Sequence, residues 1–211
     1  MDKELIKGLI AEYQQFVKSV SFVKRAVTLS DNFNYVFVGL RRVGKSYLMY
    51  QQIHHLIETG ISPEEILFFN FEDERIAGMD TEHLDMIKRC YEEMYSHRPI
   101  FFLDEIQIVP HWEQFVRRLA DQKYRVYVTG SNAKMLSKDI ATTLGGRFMI
   151  QYVYPFSFRE YLSSNGVQLD KLWIYKNRSE VVRHFDTYFR FGGLPELLAV
   201  SYTHLTLPTT S

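Results

Sequence analysis

A three-layer α/β fold around a mostly parallel five-stranded sheet is predicted by three features of the 211-residue sequence. Short apolar runs recur at residues 35–38, 66–71, 100–103, 124–128 and 148–153, with the length and composition of strands buried on both faces. Stretches with apolar residues at three-to-four spacing alternate with these runs, which is the strand–helix–strand order of a parallel sheet. The first run opens directly into a glycine-bearing loop, residues 39–46, and then into a helical pattern.

Composition narrows the classes before any motif is read. Hydrophobic residues make up 46% of the chain and aromatics 15%, which excludes a disordered protein. Lys plus Arg equals Asp plus Glu at 25 each, so no global field recruits nucleic acid or a membrane surface, although a local basic face stays open. The single cysteine, Cys90, excludes an intramolecular disulfide and is expected as a small buried apolar residue. No Cys/His spacing has the form of a zinc site. The charged start, Met1-Asp2-Lys3-Glu4, lacks the form of a signal peptide, and no apolar run is long enough for a bilayer. The expectation is a cytoplasmic protein with no membrane partner.

Taken in order, residues 3–23 place Leu5, Leu9, Tyr13, Phe16 and Val20 on one helical stripe, expected to pack on the core. Lys24 and Arg25 follow, read as solvated charges, with an approach to nucleotide or a neighbour as the other reading. After Ser46, Met49, Ile53, Leu56 and Ile57 define a helix that Gly60 stops. The run at 66–71 empties into Glu72-Asp73-Glu74-Arg75, which at a strand's carboxyl end suits either a place beside a Mg²⁺–phosphate site or a solvated loop, and is given no catalytic role. Helices are expected over 81–97, from Trp112 through Phe115, Val116 and Leu119, over about 133–143, from Phe156, and over about 179–190. The resulting division is an N-terminal helix at 1–24, a core domain at 25–155, and a helical lid or start of a second domain at 156–200. Residues 201–211, threonine-rich and uncapped, read as a non-native tail beyond which the natural protein is expected to continue.

The loop carries the first chemistry. Gly39-Leu40-Arg41-Arg42-Val43-Gly44-Lys45-Ser46 fits the pattern G-x-x-x-x-G-K-(S/T), the Walker A or P-loop form, between a strand and a helix as the motif requires. Gly39 and Gly44 let the backbone turn tightly and bring its N–H groups against phosphate oxygens. The positive end of the following helix favours the same anion. Lys45 is placed to reach the β- and γ-phosphates, the Ser46 hydroxyl to ligate Mg²⁺, and Tyr47 to join the nucleotide contacts from the first helical turn.

The run at 100–103 ends in Asp104-Glu105, which has the form of a Walker B element. In that reading Asp104 holds the Mg²⁺ shell and Glu105 polarises the attacking water, with Gln107 nearby. Thr129-Gly130-Ser131-Asn132 follows the fourth run; its small polar groups suit a sensor of the γ-phosphate, with Ser131 as the contact, and equally suit a helix cap. Arg147, presented after Gly145-Gly146, is a candidate arginine finger as well as a candidate salt-bridge partner. Arg117 and Arg118 read as a solvated edge, with a nucleic-acid or subunit contact as the other reading.

These residues, together with Leu144-Gly145-Gly146-Arg147, Pro155-Phe156-Ser157-Phe158 with Glu160, and Gly192-Gly193-Leu194-Pro195-Glu196, resemble a family of prokaryotic AAA-type ATP-binding proteins. In that family a P-loop ATPase domain precedes a C-terminal domain of unknown function, which is absent here. The resemblance covers most of residues 25–198 and implies a P-loop NTPase fold, ATP with Mg²⁺ as ligands, and hydrolysis. The expected function is therefore an ATPase whose hydrolysis drives a conformational switch. A nucleotide-dependent module that turns over slowly or not at all, and holds a protein or DNA client, stays open as the alternative. So does a homo-oligomer. A small-molecule kinase is disfavoured because Asp104-Glu105 suits water activation, and a GTPase because the chain has no (N/T)-K-x-D motif.

Overall fold

The computed structural model describes residues 2–131, 139–167 and 169–196. The tail expected at 201–211, and residues 133–138 of an expected helix, lie outside the described residues. The chain divides into two units, and each is taken by itself. The first comprises Met1–Phe22, Thr28–Gly39 and Lys45–Tyr152; the second comprises Val23–Val27, Leu40–Gly44 and Val153–Ser211.

The first unit is built on five parallel strands: β1 (Asn34–Val38), β2 (Ile66–Asn70), β3 (Ile100–Asp104), β4 (Val126–Gly130) and β5 (Phe148–Tyr152), in the spatial order β2-β3-β4-β1-β5. β1 through β4 are buried along nearly their whole length, as their uninterrupted apolar sequences require, while the edge strand β5 exposes Met149 and Tyr152. Parallel in-register pairing brings Phe102, Tyr127 and Tyr35 side by side on neighbouring strands. Their rings form a stack, with Phe102 and Tyr127 nearly parallel at 4.5 Å between centres, and Tyr35 5.9 Å beyond.

Four helices of this unit are α1 (Lys3–Ser19), α2 (Lys45–Glu58), α3 (Thr81–Met94) and α4 (Trp112–Asp121), with a short α5 (Asp139–Thr143) before β5. Helix α1 stops at Ser19, four residues short of the expected end, because Val20 turns to extended backbone. Its buried stripe is Ile6, Leu9, Ile10, Tyr13 and Val17, so Phe16, expected inside, is 47% exposed. Gln14 completes the stripe by donating to the Ile66 carbonyl at 2.9 Å and accepting from Tyr95 Oη at 2.6 Å. Cys90 is buried, as expected.

β4 differs most usefully from the sequence reading. Tyr124 is consumed by the turn after α4, its N–H donating to the Leu119 carbonyl, and the strand starts at Val126. It then runs on through Thr129 and Gly130, which pair with Phe37 and Val38. Thr129 is thereby a fully buried strand residue.

The second unit contains α6 (Phe158–Ser164), α7 (Lys171–Lys176) and α8 (Arg178–Phe191). Ser157 and Glu160 form a reciprocal capping box that starts α6. The core of the unit is Phe156, Tyr161, Leu162 and Val167, with Val23, Trp173 and Tyr188 packed against it. Gly193 is required here by close approach: a Cβ at that position would lie 2.1 Å from the Phe156 carbonyl oxygen.

Candidate functional site

Chemistry in the first unit collects where β3 and β4 end and α2 begins. Successive strand residues point to opposite faces, so Asp104 shares a face with Phe102, and Thr129 with Tyr127. Because Phe102 and Tyr127 are in register, Asp104 and Thr129 stand side by side one step further on. Thr129 Oγ1 donates to Asp104 Oδ1 at 2.5 Å and accepts the Glu105 N–H at 2.8 Å. From the first turn of α2, Ser46 Oγ donates to the same Asp104 oxygen at 3.0 Å, across 58 residues of sequence.

Glu105 turns out of the strand in the left-handed region, with φ of 52°, a conformation non-glycine residues seldom adopt. That turn brings its carboxylate to a different set of partners. Lys45 Nζ lies 3.4 Å from Oε1, while Ser131 Oγ at 3.0 Å and the Gln107 side-chain amide donate to Oε2. Gln107 Oε1 is buried with no hydrogen-bond partner among the described residues. Lys45 is 4% exposed, Asp104 4% and Glu105 7%. Burial pushes the Asp104 carboxyl up to about 6, against the lowering pull of the Thr129 and Ser46 hydroxyls, with the Glu105 charge adding to the rise.

The donor set fits a hard divalent cation held largely by a ligand. Ser46 and Asp104 offer two oxygen donors already in mutual contact, and a cation beside Asp104 would offset the cost of its buried charge. No cluster of three or more His, Cys, Asp or Glu is suited to a metal ion among the described residues. Mg²⁺, which keeps waters and phosphate oxygens in its shell, does not need one.

The loop residues occupy their own places. Val43 is fully buried, while Leu40 is 59% and Tyr47 52% exposed, the Tyr47 ring edge resting 5.5 Å from Tyr50. Arg42 at φ 64° and Gly44 at φ 94° give the backbone the positive-φ turns expected of an anion-cradling loop. Arg42 pairs with Glu196 at 2.7 Å within the second unit.

Two expectations are corrected by the geometry. Arg147 does not join the Lys45 site of its own chain: it precedes β5, and Asn34↔Phe148 pairing places it at the amino ends of the parallel strands, whereas Ser46 and Asp104 meet at the carboxyl ends. There it pairs with Asp121 at 2.5 Å and donates to the Gly145 carbonyl at 3.2 Å. Arg25, read as solvated, is instead 8% exposed and fully engaged within the second unit. The acidic loop after β2 is structural: Asp73 accepts Tyr13 Oη at 2.6 Å and pairs with Arg75 at 2.7 Å. Sequence reasoning missed Thr129 as the link between the two carboxylates. The sequence marks residues 129–132 as a sensor, but with Ser131 as the contact; the signal for Thr129 itself is its position, one step beyond an apolar run.

Residues 31–162 match the sequence profile of the AAA domain. An uncharacterized protein of Methanocaldococcus jannaschii, MJ1544, is 30% identical over 200 residues, covering 94% of this chain and 44% of that protein. An uncharacterized protein of Haemophilus influenzae is 34% identical over 182 residues, covering 84% of this chain and 44% of that protein. The chain thus spans less than half the length of these relatives. Among solved structures, AMPPCP-bound DnaA from Aquifex aeolicus superposes with a TM-score of 0.51 at 12% identity, over 96% of this chain and 60% of that one, a likeness of fold. With the profile matching more than half the sequence, on a five-stranded parallel sheet, the chain belongs to the AAA-domain family.

Proposed function

We propose that this chain binds ATP with Mg²⁺ at residues 39–46 and hydrolyses it, with Glu105 preparing the water. The observation that carries the reading is the convergence of Lys45, Ser46, Asp104 and Glu105, from two distant stretches of sequence, in one buried hydrogen-bonded group. The loop amides and Lys45 neutralise the β- and γ-phosphates, with Gly39, Leu40, Arg41, Arg42, Val43 and Gly44 supplying backbone and Tyr47 flanking the nucleotide. Ser46 and Asp104 are the residues that would hold Mg²⁺, which when bound would supply charge neutralisation at the phosphates. Glu105 accepts a proton from water, oriented by Ser131 and Gln107, and the partnerless Gln107 Oε1 offers the same water a second acceptor.

Lys45 is drawn to two anions. Its pairing with Glu105 supports a sequence in which a bound phosphate competes for the ammonium and leaves the carboxylate to Ser131 and Gln107. Hydrolysis would then bias a conformational switch. A contribution of Arg147 would have to come from a neighbouring copy, since its own chain holds it at the other end of the sheet. Calorimetric titration with Mg·ATP tests the binding half. Saturable binding that Lys45→Ala reduces by at least about two orders of magnitude supports it, on the scale of a charged contact to phosphate lost from a buried site. Equal titration of the two proteins would remove the loop as the site.

A further inference from the structure

The second unit contains a buried guanidinium that the nucleotide chemistry leaves unexplained. Arg25 donates through Nε to Glu160 Oε1 at 2.8 Å and through Nη2 to the Tyr154 carbonyl at 2.6 Å. Its Nη1 donates to the Val43 carbonyl, inside the phosphate loop, at 3.3 Å. Its Cζ lies over the Phe156 ring, 4.9 Å from the ring centre. Glu160 is itself held on both oxygens: Oε1 also accepts the Ala26 N–H at 3.3 Å, and Oε2 accepts the Ser157 N–H and hydroxyl at 2.8 and 2.9 Å. Burial pushes the Glu160 carboxyl up, but the Ser157 and Arg25 hydrogen bonds together outweigh it and hold the carboxyl below the usual glutamate range.

We infer that Arg25 is a positioning residue for the phosphate loop, a clamp that sets the orientation of the Val43–Gly44 peptide and makes that orientation depend on the helical unit through Glu160. The step from contact to function is geometric. The C=O and N–H of a trans peptide point in opposite directions, so anchoring the Val43 oxygen on Arg25 aims the Gly44 N–H away from the guanidinium. Gly44 sits at φ 94°, and a Cβ built there would lie 3.6 Å from Arg25 Nη1, so the glycine backbone passes directly over the clamp. An N–H fixed in this way costs no reorganisation when an anion arrives. Arginine is needed for the planar fork: three separate nitrogens serve three acceptors while the ring face is covered, which a lysine ammonium cannot reproduce. Glu160 starts α6, so displacement of that helix withdraws a charge-assisted partner from Arg25 and loosens the loop. What the Gly44 N–H meets, a nucleotide phosphate, rests on the proposed function.

The test separates the two claims by reading the loop without and with nucleotide. Hydrogen–deuterium exchange over residues 39–48 is measured for wild type, Arg25→Met, Arg25→Lys, Glu160→Gln and Asp170→Ala. The last removes the cap of α7, where Asp170 Oδ1 accepts the Trp173 N–H at 2.8 Å, a bond in the second unit made by none of the clamp residues. Without nucleotide, the clamp predicts loop exchange faster by on the order of tenfold in Arg25→Met, little rescue in Arg25→Lys, a smaller rise in Glu160→Gln and no change in Asp170→Ala. If Arg25→Met does not fold, Arg25→Lys and Glu160→Gln decide. Loop exchange equal to wild type in the folded Arg25 and Glu160 variants overturns the clamp, as does an equal rise in Asp170→Ala, which would mark general loosening. Adding Mg·ATP then reads the other claim: failure to slow wild-type loop exchange contradicts nucleotide binding, while the nucleotide-free comparison still judges the clamp.

Discussion

Thr129 carries two jobs in one hydroxyl. It donates to Asp104 and accepts the backbone N–H of Glu105, so one atom fixes both the buried carboxylate and the left-handed turn that presents its neighbour. Thr129→Val, nearly isosteric, leaves a buried N–H unsatisfied and removes a charge-assisted bond; a stability loss of about 2–4 kcal/mol and slower turnover are expected. Urea unfolding and a phosphate-release assay read the two effects. Arg147→Ala is expected to bind Mg·ATP as wild type does, because the arginine is engaged with Asp121 far along the sheet, and calorimetry checks it. At this scale the sequence was informative where chemistry is contiguous: 39–46 and Asp104-Glu105 announce themselves by pattern. It did not name the partners of Thr129 and Arg25, which are set by strand register and by chain segments more than a hundred residues away, as with Arg25 and Glu160.

Among the elements, the turn after β2 shows how an acidic cluster can be structural. Asp73 caps the turn Glu74–Ile76 while pairing with Arg75 and accepting Tyr13 Oη, and the Arg75 guanidinium holds its carboxyl well below the usual range. The folded state therefore prefers the ionised form. The stabilisation is fully present above the unfolded-state pKa of about 3.9 and is lost as pH falls below it. Asp73→Asn should cost about 1 kcal/mol at pH 7, as a part-exposed ion pair does, and the gap to wild type should close below about pH 4. In the second unit, Gly193→Ala forces a Cβ against the Phe156 carbonyl, whose backbone cannot yield cheaply. About 3 kcal/mol of destabilisation is expected, read by urea unfolding followed on Trp173 fluorescence in a Trp112→Phe background. The strands were legible because runs buried on both faces leave little ambiguity. The α1 stripe was misjudged by a residue because Leu5, Ile6, Leu9 and Ile10 support two adjacent faces, and contact with β2 and α3 chose between them.

At the scale of the first unit, the strand order explains why the site works as a group. β4 lies between the strand that leads into the loop and the strand that ends in Asp104, so its last residues and Ser131 just after them fall between the two chemistries and connect them. Ligands in open parallel sheets gather at the carboxyl ends of the strands, and these contacts lie there. No helix among the described residues is long and apolar enough to cross a membrane. Order in space was the one global property that periodicity could not supply, because every permutation of five buried strands reads alike in sequence. The proposed hydrolysis rests on Glu105 as the residue that prepares water. Phosphate release from Mg·ATP is measured for wild type and Glu105→Gln, with calorimetric binding in parallel. Retained binding with turnover lowered by about 10²–10⁴-fold is the predicted result, and equal phosphate release from the two proteins would contradict it.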